Sequence, residues 1–413
     1  MALISARTRT VLRLAAWCLF AAPAAAHAAA AADRLEARQV RWEEDYAWLS
    51  HEPRPLTGEA RWKYIPVSPD GQAWLTLGGE VRQRQDYIKA GQLGLGPVGR
   101  YETAQTRLYL HADLHLSPVV RVFGQLSYAD EGGRPADRSF DESAPDIQQA
   151  FVDLTPTPGA RLRVGRQELP LGDQRLSDVR ETFNLRRSFD AVRIDLDTPG
   201  GGVVTASSGG VVTNHPDGFD DRRQPGETFQ GLYAALPLNK AASLDLFWLQ
   251  RRRGLSTFTE GQAAERRETV GARLHGESGA LDYNLYAVGQ GGRFGQADIS
   301  AWGASADVGW SPDGWRWSPR LGLRLDAASG DRRRGDGELN SFDAPYPNTS
   351  YLSTSSAYWP GNAWSVFPLL ILHPDPKLSL YLGAQSMNRM SGQDGFYYAA
   401  QSPIVVPAGK GQV

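Results

Sequence analysis

Arginines set two residues apart, or flanked by small and aliphatic residues, are the chemical groups this sequence repeats most. Arg82 and Arg84 form one such pair and Arg161 and Arg163 another, while Arg107, Arg121, Arg193, Arg273 and Arg324 have Val, Leu, Ile, Ala or Gly among their neighbours. On an extended chain, successive side chains point to opposite faces. Every second residue can then be cationic on one side while the other side stays apolar. A guanidinium keeps its charge at any physiological pH and presents a planar fork of donors matched to a carboxylate. A row of them can attract a polyanion and pass it from site to site rather than hold it. Acidic residues alternate with them, among them Glu80, Asp113, Asp153, Asp190, Asp195 and Asp326. That leaves open a second reading, in which the charges pair into a ladder that only braces the structure.

Catalytic chemistry finds little support. There is no Gly-x-Ser-x-Gly elbow, and His111 and His115 share a strand face with Ser127 on the next strand. Two histidines four residues apart on a strand are about 13 Å from each other, too far to share a metal. The Asp-rich stretches Asp217 to Asp221 and Asp331 to Asp336 have arginines beside or within them and read as solvated loops. The one cysteine, Cys18, lies near the amino terminus in an apolar run. The expectation is therefore no catalytic residue, no metal and no cofactor.

The elements that would position the arginines are strands. Leu75, Leu77, Gly79 and Val81 alternate with Thr76, Gly78, Glu80, Arg82 and Arg84, and Leu108, Leu110, Ala112, Leu114 and Leu116 alternate with Arg107, Tyr109, His111, Asp113 and His115. Thirteen more such segments follow, from 119–129 to 364–372 and 377–386, which makes fifteen candidates. Each is close to the roughly 9–11 residues that a tilted strand needs to cross a bilayer. Short turns such as Ser117-Pro118 and Thr157-Pro158-Gly159 alternate with long polar stretches at 130–145, 252–266 and 328–362. That asymmetry belongs to an outer-membrane barrel. Trp248, Trp302, Trp310, Trp315, Trp317, Tyr128 and Trp359 fall at or near strand ends, as an interfacial girdle requires. The expected fold is all-β, a transmembrane antiparallel up-and-down barrel.

The ends fit export. Arg7, Arg9 and Arg13 precede an apolar run from Leu14 to Ala22 and the small-residue site Ala26-His27-Ala28, so residues 1–28 read as a signal peptide removed after general secretion. Residues 29–72 show no clear periodicity and read as a periplasmic segment leading into a barrel over 73–413. With 44 basic and 46 acidic residues the net charge is −2, which gives no reason to expect a nucleic-acid partner.

The sequence resembles the alginate-export family of outer-membrane proteins from about Arg41 to its end. The resemblance rests on Arg41-Trp42-Glu43-Glu44-Asp45-Tyr46, on Lys63-Tyr64-Ile65-Pro66, and on Leu77-Gly78-Gly79-Glu80-Val81-Arg82-Gln83-Arg84. The densest block is Val164-Gly165-Arg166-Gln167-Glu168-Leu169-Pro170-Leu171-Gly172-Asp173-Gln174-Arg175-Leu176, closed by Arg187-Ser188-Phe189-Asp190-Ala191-Val192-Arg193. Ala328-Ser329-Gly330-Asp331 and Asn362 add to it. The resemblance implies an eighteen-stranded barrel whose arginine-lined lumen passes an acidic polysaccharide outward. It also implies lipid of the outer membrane, the barrel-assembly machinery and periplasmic delivery proteins as partners. Fifteen candidates fall three short of eighteen, and the expectation is a carboxy-terminal truncation. Alternation and motif together assign the substrate-binding role to Arg82, Arg84, Arg107, Arg163, Arg166, Arg175, Arg193, Arg324 and Asp190. A porin for small anionic solutes, or a plugged barrel with a structural role, remain the alternatives.

Overall fold

The computed structural model describes residue 35 and residues 37–89, 99–135, 138–348, 361–398 and 402–404. The expected signal peptide, residues 1–28, and Trp359 lie outside the described residues. The chain divides into two compact units at Arg61/Trp62. In the first, two short 3₁₀ turns, Arg41–Glu43 and Ala47–His51, bury Trp42, Tyr46 and Leu49, and Arg41 Nη1 lies 2.9 Å from Glu44 Oε1. Residues 62–72 belong to the second unit, because Ile65 and Pro66 pair with Leu75 and Trp74.

The second unit is built from long antiparallel strands: β1 (Trp74–Ile88), β2 (Tyr101–His115), β3 (Val120–Gly132), β4 (Ser143–Thr157), β5 (Ala160–Gln167), β6 (Phe189–Asp197), β7 (Val203–Thr213) and β8 (Glu227–Asn239). The ladder continues through β9 (Ala242–Phe258), β10 (Gly261–Ser278), β11 (Leu281–Phe294), β12 (Ala297–Trp310), β13 (Arg320–Ala328), β14 (Ala363–Asp375) and β15 (Leu378–Gly383, carried on by Ser386–Arg389). Each pairs with the next in sequence, from Gly79↔Leu110 to Leu370↔Leu382. Among the described residues fifteen consecutive wall strands thus stand where fifteen were expected, and where the resemblance implied eighteen. None of the described helices is long and apolar enough to cross a membrane, so any crossing is by strands.

Burial alternates along these strands, but with polarity reversed relative to a soluble sandwich. On β2, Arg107, Tyr109, His111 and Asp113 are buried while Leu110 is exposed. Val192, Ile194 and Leu323 are likewise exposed, and Arg193 and Asp195 buried. A leucine can be outermost at no cost only where lipid replaces water, while a guanidinium on the lipid side at mid-membrane would cost about 2–4 kcal/mol. The polar face therefore lines the lumen.

Two expectations need correction. The stretch 252–266 is no loop, because β9 and β10 run on to Phe258 and from Gly261 around a two-residue turn. Arg253 lies opposite Glu265 in that extension, 2.8 Å apart, and Arg267 lies beside the same carboxylate at 2.5 Å. Charge pairing on the inner face holds strand geometry in a segment too polar to read as a strand. Trp248 and Trp302 sit inside β9 and β12 rather than at their ends, whereas Trp310, Trp315 and Trp317 are exposed at the short-turn end.

Candidate channel constriction

β5 ends at Gln167, and residues 168–188 then fold over the inner face before β6 begins at Phe189. The sequence drives this. Leu169, Leu171, Leu176, Val179 and Leu185 are all buried. Leu171 and Leu176 join Tyr233, Phe247, Leu249 and Tyr286 of β8, β9 and β11, and Leu185 packs with Tyr109 and Ala129 of β2 and β3. Burial of a leucine side chain contributes about 1.5–3 kcal/mol, so such a segment cannot be left in water. Gly172 makes the turn at φ +58°, where a Cβ would lie 2.1 Å from the Tyr233 hydroxyl.

Polar anchors fix both sides of the segment. Toward β1 and β2, Arg82 donates to the carbonyls of Glu181 (2.7 Å) and Phe183 (2.5 Å), and Arg84 to that of Thr182 (2.5 Å). Arg107 reaches Glu181 at 2.5 Å and Glu80 at 2.9 Å. Asn184 donates to the carbonyls of Thr106, Asp130 and Asp141 at 3.1, 3.1 and 2.9 Å. Toward β11–β13, Asp173 accepts from Tyr286 and from Asn284 (2.9 Å), while Arg175 donates to Ser305 (2.6 Å) and pairs with Asp326. The loop therefore links walls far apart along the strand order, which places it across the lumen.

A second inward segment, 329–348, meets the first. Asp343 pairs with Arg251 at 2.5 Å and with Arg253, while Arg267 donates to the Ser341 carbonyl at 3.0 Å. Burial alone would raise the Asp343 carboxyl, but Arg251, Arg253 and Arg267 hold it far below the usual range. The Tyr346 ring stacks edge-on against Phe189, and its carbonyl accepts from Arg187 at 2.6 Å and from the Asp178 amide at 2.9 Å. Glu168 is fully buried, its oxygens make no hydrogen bond, and Arg186 stands 3.8 Å away. Burial pushes its carboxyl up to about 7 despite that arginine.

The remaining arginines pair across the wall itself. Arg163 holds Asp153 in a bidentate fork at 2.6 and 2.7 Å, Arg193 and Arg161 share Asp195 at 2.8 and 2.7 Å, and Arg121 meets Asp113 at 2.7 Å. On the far side Arg273 meets Asp245 at 3.0 Å and Arg324 meets Asp307 at 3.1 Å. In several pairs the cation is the more exposed partner. Arg161 is 33% exposed against 7% for Asp195, Arg84 33% against 21% for Asp86, and Arg175 16% against 8% for Asp326.

A model of the alginate export family matches residues 73–412. The chain belongs to the alginate-export family. Among solved structures it is similar in fold to Acinetobacter baumannii OccAB1, with a TM-score of 0.52, 11% identity, and coverage of 78% of this chain and 82% of that one. Pseudomonas aeruginosa OccK8 (OprE) gives 0.50, 11% identity, and 77% and 84% coverage. No curated protein matches the chain. Family and fold together make this family member a β-barrel channel of the Gram-negative outer membrane, and they point to transport rather than to an enzyme.

Within this family member the expected site residues separate into three groups. Arg82, Arg84, Arg107 and Arg175 hold the inward loop. Arg163, Arg193 and Arg324 belong to wall pairs. Arg166 and Asp190 pair with each other at 2.9 Å, but register puts them opposite one another in line with Val164 and Val192, on the outer face rather than in the lumen. Alternation runs unbroken through β5, with Arg163 and Gln167 buried on the inner face and Val164 and Arg166 on the outer one. The motif block, not alternation from Arg163, had put Arg166 among the lumen residues. Sequence reasoning also missed Glu168, Glu181, Arg251, Arg253, Arg267 and Asp343. The run Arg251-Arg252-Arg253 opposite Glu265 and Arg267 carried the signal, read as loop polarity.

Proposed function

We propose that this channel passes an anionic polysaccharide, a polyuronate such as alginate, through its arginine-lined lumen. The observation that supports the reading is the asymmetry of the inner-face pairs: at Arg84, Arg161 and Arg175 the guanidinium stands further into the passage than its carboxylate. At these three pairs a solute moving along the wall meets the cationic half first, whereas at Arg107 the partners Glu80 and Glu181 are the more exposed. Its carboxylates can exchange with the resident one in a bidentate fork, which favours hopping over lodging.

A porin for small anions is the second reading, favoured by the two inward loops that narrow the lumen, the first of which caps the buried Arg107. Single-channel recording in planar bilayers separates them. Polyuronate oligomers should interrupt the current for times that lengthen with chain length, and a neutral glucan of equal length should not. Block by monomeric uronate alone, with no effect of oligomers, would support the porin and contradict polymer passage.

A further inference from the structure

The outer wall carries a second polar site that the lumen does not use. Between β5, β6, β7 and β8, at the end of the strands from which the long loops leave, lies an open groove of about 550 Å³ on the lipid side. Its lower floor is aliphatic: Val164 and Val192, paired in register, are 47% and 43% exposed. One outward step along the strands, about 7 Å, the floor turns polar with Arg166 and Asp190, and Arg223, Ser208 and Gln230 close the sides.

These cations differ in what they have left to offer. Arg166 is spent on Asp190 at 2.9 and 3.3 Å and on the carbonyls of Ile147 and Asp221, both at 3.1 Å. Arg223 is exposed, and among the described residues no carboxylate forms an ion pair with it. Its stem lies flat across Gly210, where a Cβ would sit 2.1 Å from Nε, so the absence of a side chain at 210 is what lets the arginine lie down in the groove. Register pairs Arg223 with Val212, which keeps it on the outer face. Asp146, Asp220 and Asp221 lie nearby, but Asp146 is buried, its Oδ2 accepts the amides of Asp220 and Asp221 and its Oδ1 faces Arg166 at 3.9 Å, so that carboxylate is engaged within the wall.

We propose that this groove binds the phosphorylated headgroup of an outer-leaflet glycolipid, with Arg223 as the phosphate ligand, Gln230 and Ser208 as hydrogen-bonding neighbours, and an acyl chain along Val164 and Val192. The site joins a cation without an ion pair among the described residues to an exposed aliphatic floor at the long-loop end of the strands. A soluble anion would need only the cation. A phospholipid tail would need only the valines.

The test uses the full chain purified in detergent, with assembly checked by heat-modifiable gel mobility, and native mass spectrometry with bis-phosphorylated lipid A, the same lipid after dephosphorylation, and inorganic phosphate. The wild-type protein should retain phosphorylated lipid A at least tenfold better than the dephosphorylated form, R223A and R223E should lose that preference, and R223K should keep most of it. R266E, at an exposed outer-face arginine away from the groove, should leave it unchanged. Should R223E fail to assemble, the R223A against R223K comparison decides. Equal retention of both lipids, retention unaltered by R223A, or displacement of the lipid by millimolar inorganic phosphate would overturn the proposal, the last outcome marking a plain anion site. Because the groove lies outside the lumen, none of these results depends on what the channel conducts.

Discussion

The wall and the inward loop use the same residue type for different ends. On the wall, Arg163 and Asp153 or Arg161 and Asp195 belong to neighbouring strands and close pairs between adjacent staves. In the loop, Arg82, Arg84 and Arg107 reach residues 74–101 positions away, and Arg175 reaches Asp326 at a separation of 151. The first arrangement stiffens a surface. The second suspends a segment across the passage and so sets its width. Arginine count along an inner face therefore says little about conduction until each partner is known.

The sharpest way to break this comparison is at Arg163, which is fully buried against Asp153. R163A removes the bidentate partner of the buried Asp153 carboxylate and leaves it only Arg121, 3.7 Å away; breaking a buried pair costs up to about 3–5 kcal/mol. It should lower the urea midpoint of barrel unfolding markedly while leaving single-channel noise unchanged in whatever fraction assembles. If instead R163A unfolds like wild type but conducts differently, the division between wall and loop arginines is wrong.

At the loop, R82A combined with R107A removes the anchors on Glu181 and Phe183 while the ladder stays intact. Hydrogen bonds to charged groups contribute about 1.5–3 kcal/mol each where buried, and release of a loop relieves part of that loss. The unfolding midpoint should move less than for R163A, and the open-channel current should rise and flicker several-fold. A quiet channel of wild-type conductance would show that residues 168–188 do not set the width.

The smallest expected effect is that of pH on the same loop. The Glu168 carboxyl is raised by burial to about 7 in the docked loop, with Arg186, Glu181, Arg107 and Glu80 around it. A raised value means that the neutral acid is the favoured docked form. Its contribution is full below the ordinary carboxyl range and is lost as pH rises through about 7. Flicker should therefore increase from pH 5 to pH 8, and E168Q should remain quiet over the whole range. The opposite slope would exclude Glu168 as the titrating group.

Much of the wall could be read directly from the sequence. Alternation located all fifteen strands and the facing of Leu110, Val192 and Leu323, because lipid on one side and a wet lumen on the other impose a period of two on every crossing. The loop could not be read that way. Nothing local to Arg82 or Arg107 distinguishes a partner at Glu80 from one at Glu181, and the inward fold of 168–188 depends on leucines spaced without a period. Arg166 and Asp190 were misplaced for a different reason: the motif block assigned them to the lumen, although counting by twos from Arg163 and Arg193 puts both on the outer face. The polar stretch 252–266 failed in the opposite direction, since charge pairing across a hairpin looks like a solvated loop in a single sequence.

The claim on which the account turns is that the passage presents the cationic side of its paired charges, and the reversal potential across a salt gradient tests it most directly. The wild-type channel should prefer anions at 0.1 M salt and lose most of that preference near 1 M, where the Debye length falls to about 3 Å. R84E combined with R161E, both on the exposed side of their pairs, should move the reversal potential toward cations. A channel that selects cations, or none, before any substitution would contradict the arginine-lined passage while leaving the barrel and its family intact.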